Sequence, residues 1–255
     1  MEYLLSFANE NDKEDIILYH MLKGIDKVFW IDVGAFDPIL CSVTKFFSQR
    51  GGSGINIEPQ ENYARKYAED RPNDITLNCG AGSPDDAMGG VLRLYGNNGL
   101  ASFKYSKGKE YSEVPIRTLK DICMEYVSGD IHFLKIDAEG WEKNVLEGMD
   151  FEEYRPWIIC IEATRPMSSK PIYGEWESLI VSKNYLFAGM YNVNRYYIAE
   201  ERRDYLRDFP DDERLNGNYD VVYYNENRKF FRYRKIDKLL QPLKLGIKRI
   251  YKRWI

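Results

Sequence analysis

Four acidic residues close short apolar runs, so their side chains are candidates for one shared site. Asp32 ends "VFWID", Glu58 ends "GINIE", Asp137 ends "IHFLKID" and Glu162 ends "PWIICIE". In an open parallel sheet, ligands bind at the carboxyl ends of the strands. The four carboxylates therefore predict an acidic rim around a ligand, although each acid could instead cap the helix that follows it.

The loop "DVGAFDP" indicates which kind of ligand this rim could hold. It contains a single glycine, Gly34, between Asp32 and Asp37. A dinucleotide site needs the pattern G-x-G-x-x-G, and two carboxylates would repel a diphosphate. S-adenosylmethionine fits better, because it carries a sulfonium and an ammonium group and no phosphate. Glu58, at the end of the next strand, is placed to accept hydrogen bonds from ribose hydroxyls.

Lys135 alternates with Asp137 in the run "FLKID", so the two side chains share one face of a strand. A lysine in a buried strand must be paired or functional. Its candidate partners are Asp137 and Glu162, and a purely structural ion pair is the alternative.

The order of these runs predicts the fold class. Strand-like and helix-like segments alternate, which indicates an α/β domain with a parallel sheet and right-handed crossovers. Residues 91–96 and 100–105 could form a hairpin or an excursion from the sheet. The predicted strands are 28–33, 54–59, 74–80, 131–137 and 156–162, followed by an antiparallel pair at 185–191 and 195–201; the predicted helices are 42–51, 61–72, 118–127, 140–149 and 173–184.

The amino-acid composition indicates the cellular compartment of the protein and excludes one kind of metal site. Four cysteines lie far apart without a C-x-x-C pair, which is typical of reduced thiols in a cytosolic protein. Two histidines exclude a centre with several histidine ligands. The first residues show no basic start of a secretory signal, and there is no apolar stretch of about 18 residues. We therefore expect a cytoplasmic protein.

The charge is divided unevenly along the chain. Residues 228–255 carry a balance of +10 and the remainder carries −14. We expect one domain over residues 1–227 and a separate basic, amphipathic tail over 228–255. The tail predicts either an interfacial helix on an anionic membrane or a helix docked on the acidic body, and that acidic body opposes nucleic-acid binding.

Several segments together resemble the FkbM-type S-adenosylmethionine-dependent methyltransferases. They are "WIDVGAFDP", "GINIEP", "VPIRTLKDI", "FLKIDAEGWEKNVLEGMDF" and "RPWIICIEATRP", within a match over residues 6–201. The resemblance implies a Rossmann-like class I methyltransferase fold, with helices on both faces of a mostly parallel sheet that includes an antiparallel late strand.

The resemblance also implies where the cofactor and acceptor bind. The first-strand loop and the acid after the second strand would hold the cofactor. Adenine contacts would come from the end of the third strand. The cofactor residues implied in this way are Asp32, Gly34, Ala35, Asp37, Glu58, Asn78, Cys79 and Gly80, and we expect Glu139, Arg165, Asn194 and Arg195 at the acceptor.

The reaction implied is methyl transfer to an oxygen, on a sugar, a glycan or a lipid-linked glycan. Asp137 is the first candidate for general base, Glu162 is the second, and Lys135 is the third catalytic candidate. Asp137 and Glu162 could instead hold Mg²⁺ or Ca²⁺ to orient a diol.

Two other classes of function stay open at this point. One is a nicotinamide-dependent sugar oxidoreductase or epimerase, which would need a glycine-rich loop. The other is a membrane- or glycan-binding scaffold that keeps the fold without turnover. The sequence does not fix the oligomeric state.

Overall fold

The computed structural model describes residues 2–225, so the predicted tail lies outside the described residues. The strands are β1 (Glu2–Ser6), β2 (Phe29–Val33), β3 (Ser53–Ile57), β4 (Ile75–Leu77), β5 (Gly80–Ala81), β6 (Val91–Tyr95), β7 (Tyr111–Arg117), β8 (Phe133–Ile136), β9 (Ile158–Glu162), β10 (Tyr185–Tyr191), β11 (Asn194–Ala199) and β12 (Tyr219–Tyr223). The helices are α1 (Glu14–Met21), α2 (Val43–Ser48), α3 (Glu61–Asp70), α4 (Pro84–Met88), α5 (Leu119–Tyr126), α6 (Glu142–Glu147), α7 (Glu177–Val181) and α8 (Asp212–Asn218).

Within residues 2–225, seven strands form the central sheet in the order β10-β11-β9-β8-β2-β3-β4. All pairs are parallel except those made by β11, which runs antiparallel to both β9 and β10. This order, with a late antiparallel strand, is that of the Rossmann-like class I methyltransferase fold. The predicted fold class is confirmed.

The strand order reverses between β2 and β8, which creates the crevice where open α/β sheets bind ligands. The chain moves from β2 outward to β3 and β4, and later returns to place β8 on the other side of β2. Asp32 of β2 and Lys135 of β8 are register partners across this point. Asp32 and Lys135, which the sequence analysis proposed as site residues, are thus neighbours at the crevice.

Each face of the sheet has its own apolar core, because strand residues point alternately to opposite sides. On one face, Ile31, Leu134 and Ile159 pack against α5, α6 and α7. On the other, Trp30 and Phe133 pack against α1 and α2. This second face also carries three polar side chains nearer the carboxyl ends of the strands, namely Asp32, Lys135 and Glu162.

The loops that follow β2 and β8 touch one another. Gly34 has a φ of +78°, and a Cβ atom built there would lie 1.9 Å from the carbonyl oxygen of Asp137. Only glycine permits this approach without displacing the backbone. The close contact draws the first loop and the Asp137 loop into one rim.

Several elements differ from the sequence-based expectation. Of the two alternatives for residues 91–105, the structure shows an excursion from the central sheet, because β6 pairs with β7 in a separate sheet of the order β5-β7-β6. Residues 100–105 do not form the hairpin with β6 and meet it at the bridge between Tyr95 and Ser102. Strand β7 was missed because Pro115 interrupts it, and a proline normally argues against a central strand. Strand β1, its parallel partner β12 and helix α1 were not predicted. Among the described residues, no helix is long and apolar enough to cross a membrane.

Candidate active site

A cavity of about 390 Å³ opens at the carboxyl ends of β2, β3 and β8. This volume lies in the range of small-molecule sites. One part of its wall is charged and the other is mostly apolar. The charged lining consists of Asp32, Glu58, Lys135, Asp137 and Glu139, and the apolar lining includes Phe36, Leu94, Leu100, Phe103 and Trp141.

Glu58 is fixed in the cavity wall by the backbone around it. One carboxylate oxygen accepts a hydrogen bond from the Phe36 N–H at 2.7 Å, and the other accepts from the Gln60 N–H at 2.8 Å. Burial raises the pKa of Glu58 to about 7, although these two backbone donors act in the opposite direction. Each oxygen retains a lone pair, so this rigid carboxylate can accept hydrogen bonds from a ligand's hydroxyl groups.

Lys135 lies between two carboxylates at the charged end of the cavity. Its Nζ is 3.3 Å from Asp137 Oδ2 and 3.8 Å from Asp32 Oδ1. Although burial alone would lower the pKa of Lys135, the carboxylates of Asp137, Asp32 and Glu14 raise it well above its usual value. The lysine therefore stays charged. Its predicted partner Asp137 is confirmed, whereas Glu162 is not within ion-pair distance and Asp32 takes that position.

The two glutamates that follow Asp137 have different environments. Glu142 accepts hydrogen bonds from the N–H groups of Ala138 and Gly140, at 3.2 and 2.9 Å, and so shapes the loop. Glu139 lines the cavity with a positive φ of 51°, and its Oε2 has no hydrogen-bond partner. Burial, together with the charges of Asp137 and Glu142, raises the pKa of Glu139 to about 7.

A second group of polar side chains lies on the same face of the sheet as Lys135. Glu162 and Asn194 are register partners of β9 and β11, and the Asn194 side chain donates to Glu14 Oε1 at 3.2 Å. Glu162 Oε2 and Glu14 Oε2 are buried without a partner. None of these three residues lines the cavity itself.

The pKa values in this second group are raised. Burial is the main cause for Glu14, whose pKa is about 8, with a further contribution from Asp12. Burial and the charge of Asp137 raise the pKa of Glu162 to about 9. No local pattern in the sequence pointed to Glu14, since it opens a helix that was itself not predicted.

Three residues expected at the cofactor do not line the cavity. Asp37 caps its own loop through the N–H groups of Ile39 and Leu40 and binds Lys66 at 2.9 Å. The Asn78 amide donates to the backbone carbonyls of Glu58 and Pro59. Cys79 is buried in an apolar core. The predicted residues Asp32, Gly34, Ala35, Glu58 and Gly80 do line it.

Two arginines expected at the acceptor lie elsewhere. Arg195 follows Asn194 in β11, so its side chain points to the opposite face of the sheet. There it binds Glu177 at 2.6 Å, and its guanidinium carbon lies 3.9 Å from the centre of the Tyr173 ring. Arg165 is exposed in the loop after β9 and does not line the cavity. Neither is placed to contact a ligand in the cavity.

The segment between β6 and β7, residues 96–110, covers the apolar part of the cavity, and we call it the flap. Leu100 and Phe103 contribute its cavity wall. The Ser102 hydroxyl donates to the Glu139 carbonyl at 2.8 Å, and the Gln60 amide donates to the Asn98 carbonyl at 3.1 Å. Sequence reasoning missed this wall because it comes from a loop rather than from the strand ends.

Two further features bear on ligand binding. In residues 2–225, no group of three or more His, Cys, Asp or Glu side chains is arranged to hold a metal ion. A wider depression of about 690 Å³ lies between α1, α8 and β12, and it includes none of the acids at the strand ends. The chemistry suggested by the sequence thus belongs to the smaller cavity.

The cavity fits S-adenosylmethionine by its donor and acceptor groups. Glu58 offers acceptors for ribose hydroxyls, and the apolar wall suits an adenine ring. Asp32 is almost fully buried and lines the cavity, and within residues 2–225 its Oδ1 atom has no hydrogen-bond donor, since Lys135 Nζ lies 3.8 Å away and is shared with Asp137. An ammonium or sulfonium group would compensate such a carboxylate.

Comparison with known proteins adds independent information. A family model described as "Methyltransferase FkbM domain" matches residues 32–187. No curated protein matches the chain. Among solved structures, the chain is similar to a TehB-like SAM-dependent methyltransferase from Corynebacterium glutamicum ATCC 13032 Kitasato, with 7% identity and a TM-score of 0.41. That alignment covers 73% of this chain and 87% of the other.

Proposed function

Since the chain belongs to the FkbM methyltransferase family, we propose that it transfers a methyl group from S-adenosylmethionine to a hydroxyl group of a sugar or glycan. The family supports methyl transfer with this cofactor. We propose an oxygen of a sugar as the methyl acceptor because of the charges at one end of the cavity. In the part of the chain that the structure describes, the charged end of the cavity holds several carboxylates and a single cation, Lys135, which already lies between Asp32 and Asp137.

Asp137 is the group best suited to take the hydroxyl proton. It lines the cavity, and 39% of its side chain is exposed, so an acceptor can reach it. The cofactor, when bound, supplies an electrophilic methyl group on a sulfonium. The acceptor hydroxyl has to lose or share its proton, and a positioned carboxylate provides the base.

Lys135 positions this base rather than replacing it. Its ammonium group donates to Asp137 Oδ2 at 3.3 Å, which limits the rotation of the carboxylate. Because its own pKa is raised, Lys135 remains charged and cannot accept the proton. Glu162, the second candidate for the base, is less suited, because it does not line the cavity and its pKa is raised to about 9, which keeps it protonated near neutral pH.

A polyhydroxyl acceptor suits the unpaired oxygens near this end of the cavity. Among residues 2–225, no donor reaches Oε2 of Glu139, which lines the cavity; Glu14 and Glu162 have similar oxygens but do not line it. Buried acceptors without donors are costly, and hydroxyl groups of a ligand would compensate those that it can reach. A sugar offers several such hydroxyls on one small ring.

The test combines an acceptor screen with one substitution. The full chain is incubated with labelled S-adenosylmethionine and a panel of free, nucleotide-linked and lipid-linked sugars, and the label is located by mass spectrometry. Asp137→Asn should lower kcat by about 10²-fold, the usual contribution of a general base. Its affinity for S-adenosylhomocysteine should stay within a few-fold of the parent's.

The control is Glu147→Gln, an acid of α6 that does not line the cavity. It should leave kcat unchanged. Methylation of nitrogen or carbon, or of no sugar in the panel, would contradict the proposal. Cofactor binding without any turnover would instead support the scaffold alternative. A cytoplasmic location, at a membrane surface through the tail, stays a prediction.

A further inference from the structure

The flap carries three lysines beside the cavity. Lys104, Lys107 and Lys109 are exposed, and no carboxylate in residues 2–225 lies within 4.0 Å of their ammonium groups. Other lysines of this chain, such as Lys120 and Lys183, have acidic partners. With three lysines and one acid, Glu110, the flap carries a net charge of +2.

Two of these lysines lie next to the cavity wall. The side chain of Lys104 packs against Gly140, where a built Cβ would be 3.1 Å from Nζ. The charge of Lys109 acts on the carboxylate of Glu139, and Glu139 lines the cavity. A ligand that extends from the cavity past Glu139 and Gly140 would meet both ammonium groups.

The interior of the cavity has the opposite charge. Of its charged lining among residues 2–225, only Lys135 is basic, and two carboxylates already surround it. A phosphate group at this end would face carboxylates with no free cation to compensate its charge. An acceptor that carries phosphate must therefore keep it outside, at the flap.

The flap also offers aromatic surface at the same place. Tyr105 is 77% exposed, and its ring centre lies 5.6 Å from that of Tyr95. Tyr95 in turn contacts Tyr111, whose ring lies under the guanidinium of Arg93 at 4.5 Å. Exposed rings next to cations suit a planar group attached to a phosphate.

We propose that the acceptor is a sugar linked to a diphosphate, bound with the sugar in the acidic end of the cavity and the diphosphate on Lys104, Lys107 and Lys109. This inference rests on the proposed function, since it names the class of the acceptor. Lysine ammonium groups bind phosphate as point charges through charge-assisted hydrogen bonds. The diphosphate can belong to a nucleotide sugar or to a polyprenyl-linked sugar, and both present the same chemistry to the flap.

The test uses two variants with the same change of charge. Lys104→Gln with Lys109→Gln removes two flap cations. Lys23→Gln with Lys27→Gln removes two exposed cations that precede β2 and therefore lie at the amino ends of the strands, opposite the cavity. Inorganic pyrophosphate is titrated by calorimetry into the full chain saturated with S-adenosylhomocysteine. We expect about tenfold weaker binding in the flap variant, and no change in the control.

Kinetics then separate the two sources of diphosphate. The KM values for a nucleotide-diphosphate sugar and for a polyprenyl-diphosphate sugar in mixed micelles are measured in both variants. The KM of the true acceptor should rise about tenfold in the flap variant, with little change in kcat, because the lysines would bind the diphosphate and not the reacting oxygen. Tyr105→Ala should raise the KM of the nucleotide sugar only.

Two results would overturn the inference. Pyrophosphate binding that is equal in the flap and control variants would show that the flap is no diphosphate site. Methylation of an uncharged methyl glycoside, with a KM as low as that of the diphosphate-linked sugar, would reject the acceptor class and leave sugar methylation intact. If no sugar is methylated in any form, the proposed function itself has failed.

Discussion

At the scale of single residues, Glu58 shows how the site keeps an acid ready for a ligand. Two backbone donors hold its carboxylate in place, yet burial is the larger effect and raises its pKa to about 7. A neutral carboxyl group accepts hydrogen bonds more weakly than a carboxylate. The charge state of Glu58 near neutral pH should therefore control cofactor binding.

We predict that Glu58→Gln weakens S-adenosylhomocysteine binding by about 1–3 kcal/mol, the usual effect of losing a charged acceptor. The pH dependence follows from the same pKa. Since Glu58 becomes protonated as the pH falls through about 7, the affinity of the parent should fall with it. The variant has no such titration, so its affinity should vary less. Calorimetry at pH 6 and pH 8 measures both effects.

Glu61→Gln, an exposed acid at the start of α3, is the control and should behave as the parent. If Glu58→Gln binds the cofactor as tightly as the parent and with the same pH dependence, Glu58 is not a cofactor ligand.

The strand-end acids could be predicted from the sequence because their positions are a local property. Asp32, Glu58 and Asp137 follow apolar runs, and strand direction alone brings them to one edge. The positions of the Asn78 and Cys79 side chains could not be predicted in this way. Both come just after β4, yet their side chains turn to the backbone and to the core, and this depends on tertiary packing.

At the scale of elements, the alternation of side chains along a strand separates neighbours in sequence. Asn194 and Arg195 were both expected at the acceptor, but consecutive strand residues face opposite sides of a sheet. Asn194 lies on the side of Glu14 and Glu162, whereas Arg195 lies against Tyr173 and Phe187 on the other side. Both could not contact one ligand.

We predict that Arg195→Met lowers the free energy of unfolding without changing ligand binding. The substitution removes the ion pair of Glu177, which keeps its hydrogen bond from the Tyr197 hydroxyl, and it removes the stacking on Tyr173, at a cost of roughly 2–3 kcal/mol. Denaturant unfolding measures this loss. Arg203→Met, at an exposed arginine without an ion pair, should cost little. An acceptor KM raised in Arg195→Met at unchanged stability would return this residue to the site.

The elements that the sequence predicted share one property, which is a strong local pattern. Strands β2, β3, β8 and β9 are continuous apolar runs, and the helices between them were found with shifts of a few residues. Strand β1 has five residues, and its partner β12 lies more than 200 residues away. Pairing over that distance leaves no local signal.

At the scale of the whole molecule, buried acids make stability depend on pH in an unusual direction. The pKa values of Glu58 and Glu139 are raised to about 7, that of Glu14 to about 8 and that of Glu162 to about 9, mainly by burial. In the unfolded chain these groups ionise near 4.3. Between the ordinary glutamate pKa and these raised values, the folded protein therefore binds more protons than the unfolded chain.

We predict that the protein without ligand loses stability as the pH rises from about 6.5 to 8. Because the unfolded state binds fewer protons, the free energy of unfolding must decrease as pH increases. The stabilisation is present below the ordinary pKa of a glutamate and is lost as pH rises through the raised values. Above about 6.5, the histidines no longer oppose this trend. Thermal unfolding at several pH values measures it.

Glu14→Gln should reduce the decrease by about 1–2 kcal/mol over this interval, since it removes one such group and keeps an acceptor for Asn194. Glu147→Gln, on the surface of α6, should leave the slope unchanged. A Tm that rises with pH over the same interval in the parent would contradict the prediction.

The pairing of β1 with β12 has a consequence for the order in which the protein matures during translation. Among the described residues, Glu2–Ser6 pair only with Tyr219–Tyr223, so β1 leaves the ribosome more than 200 residues before its partner strand. Asp15 holds the backbone just after β1 through the N–H groups of Phe7 and Ala8, and Asn9 lines the cavity. The nascent chain can thus build the central sheet around its active site first, while the part of the wall that follows β1 is completed only after β12 has been synthesised.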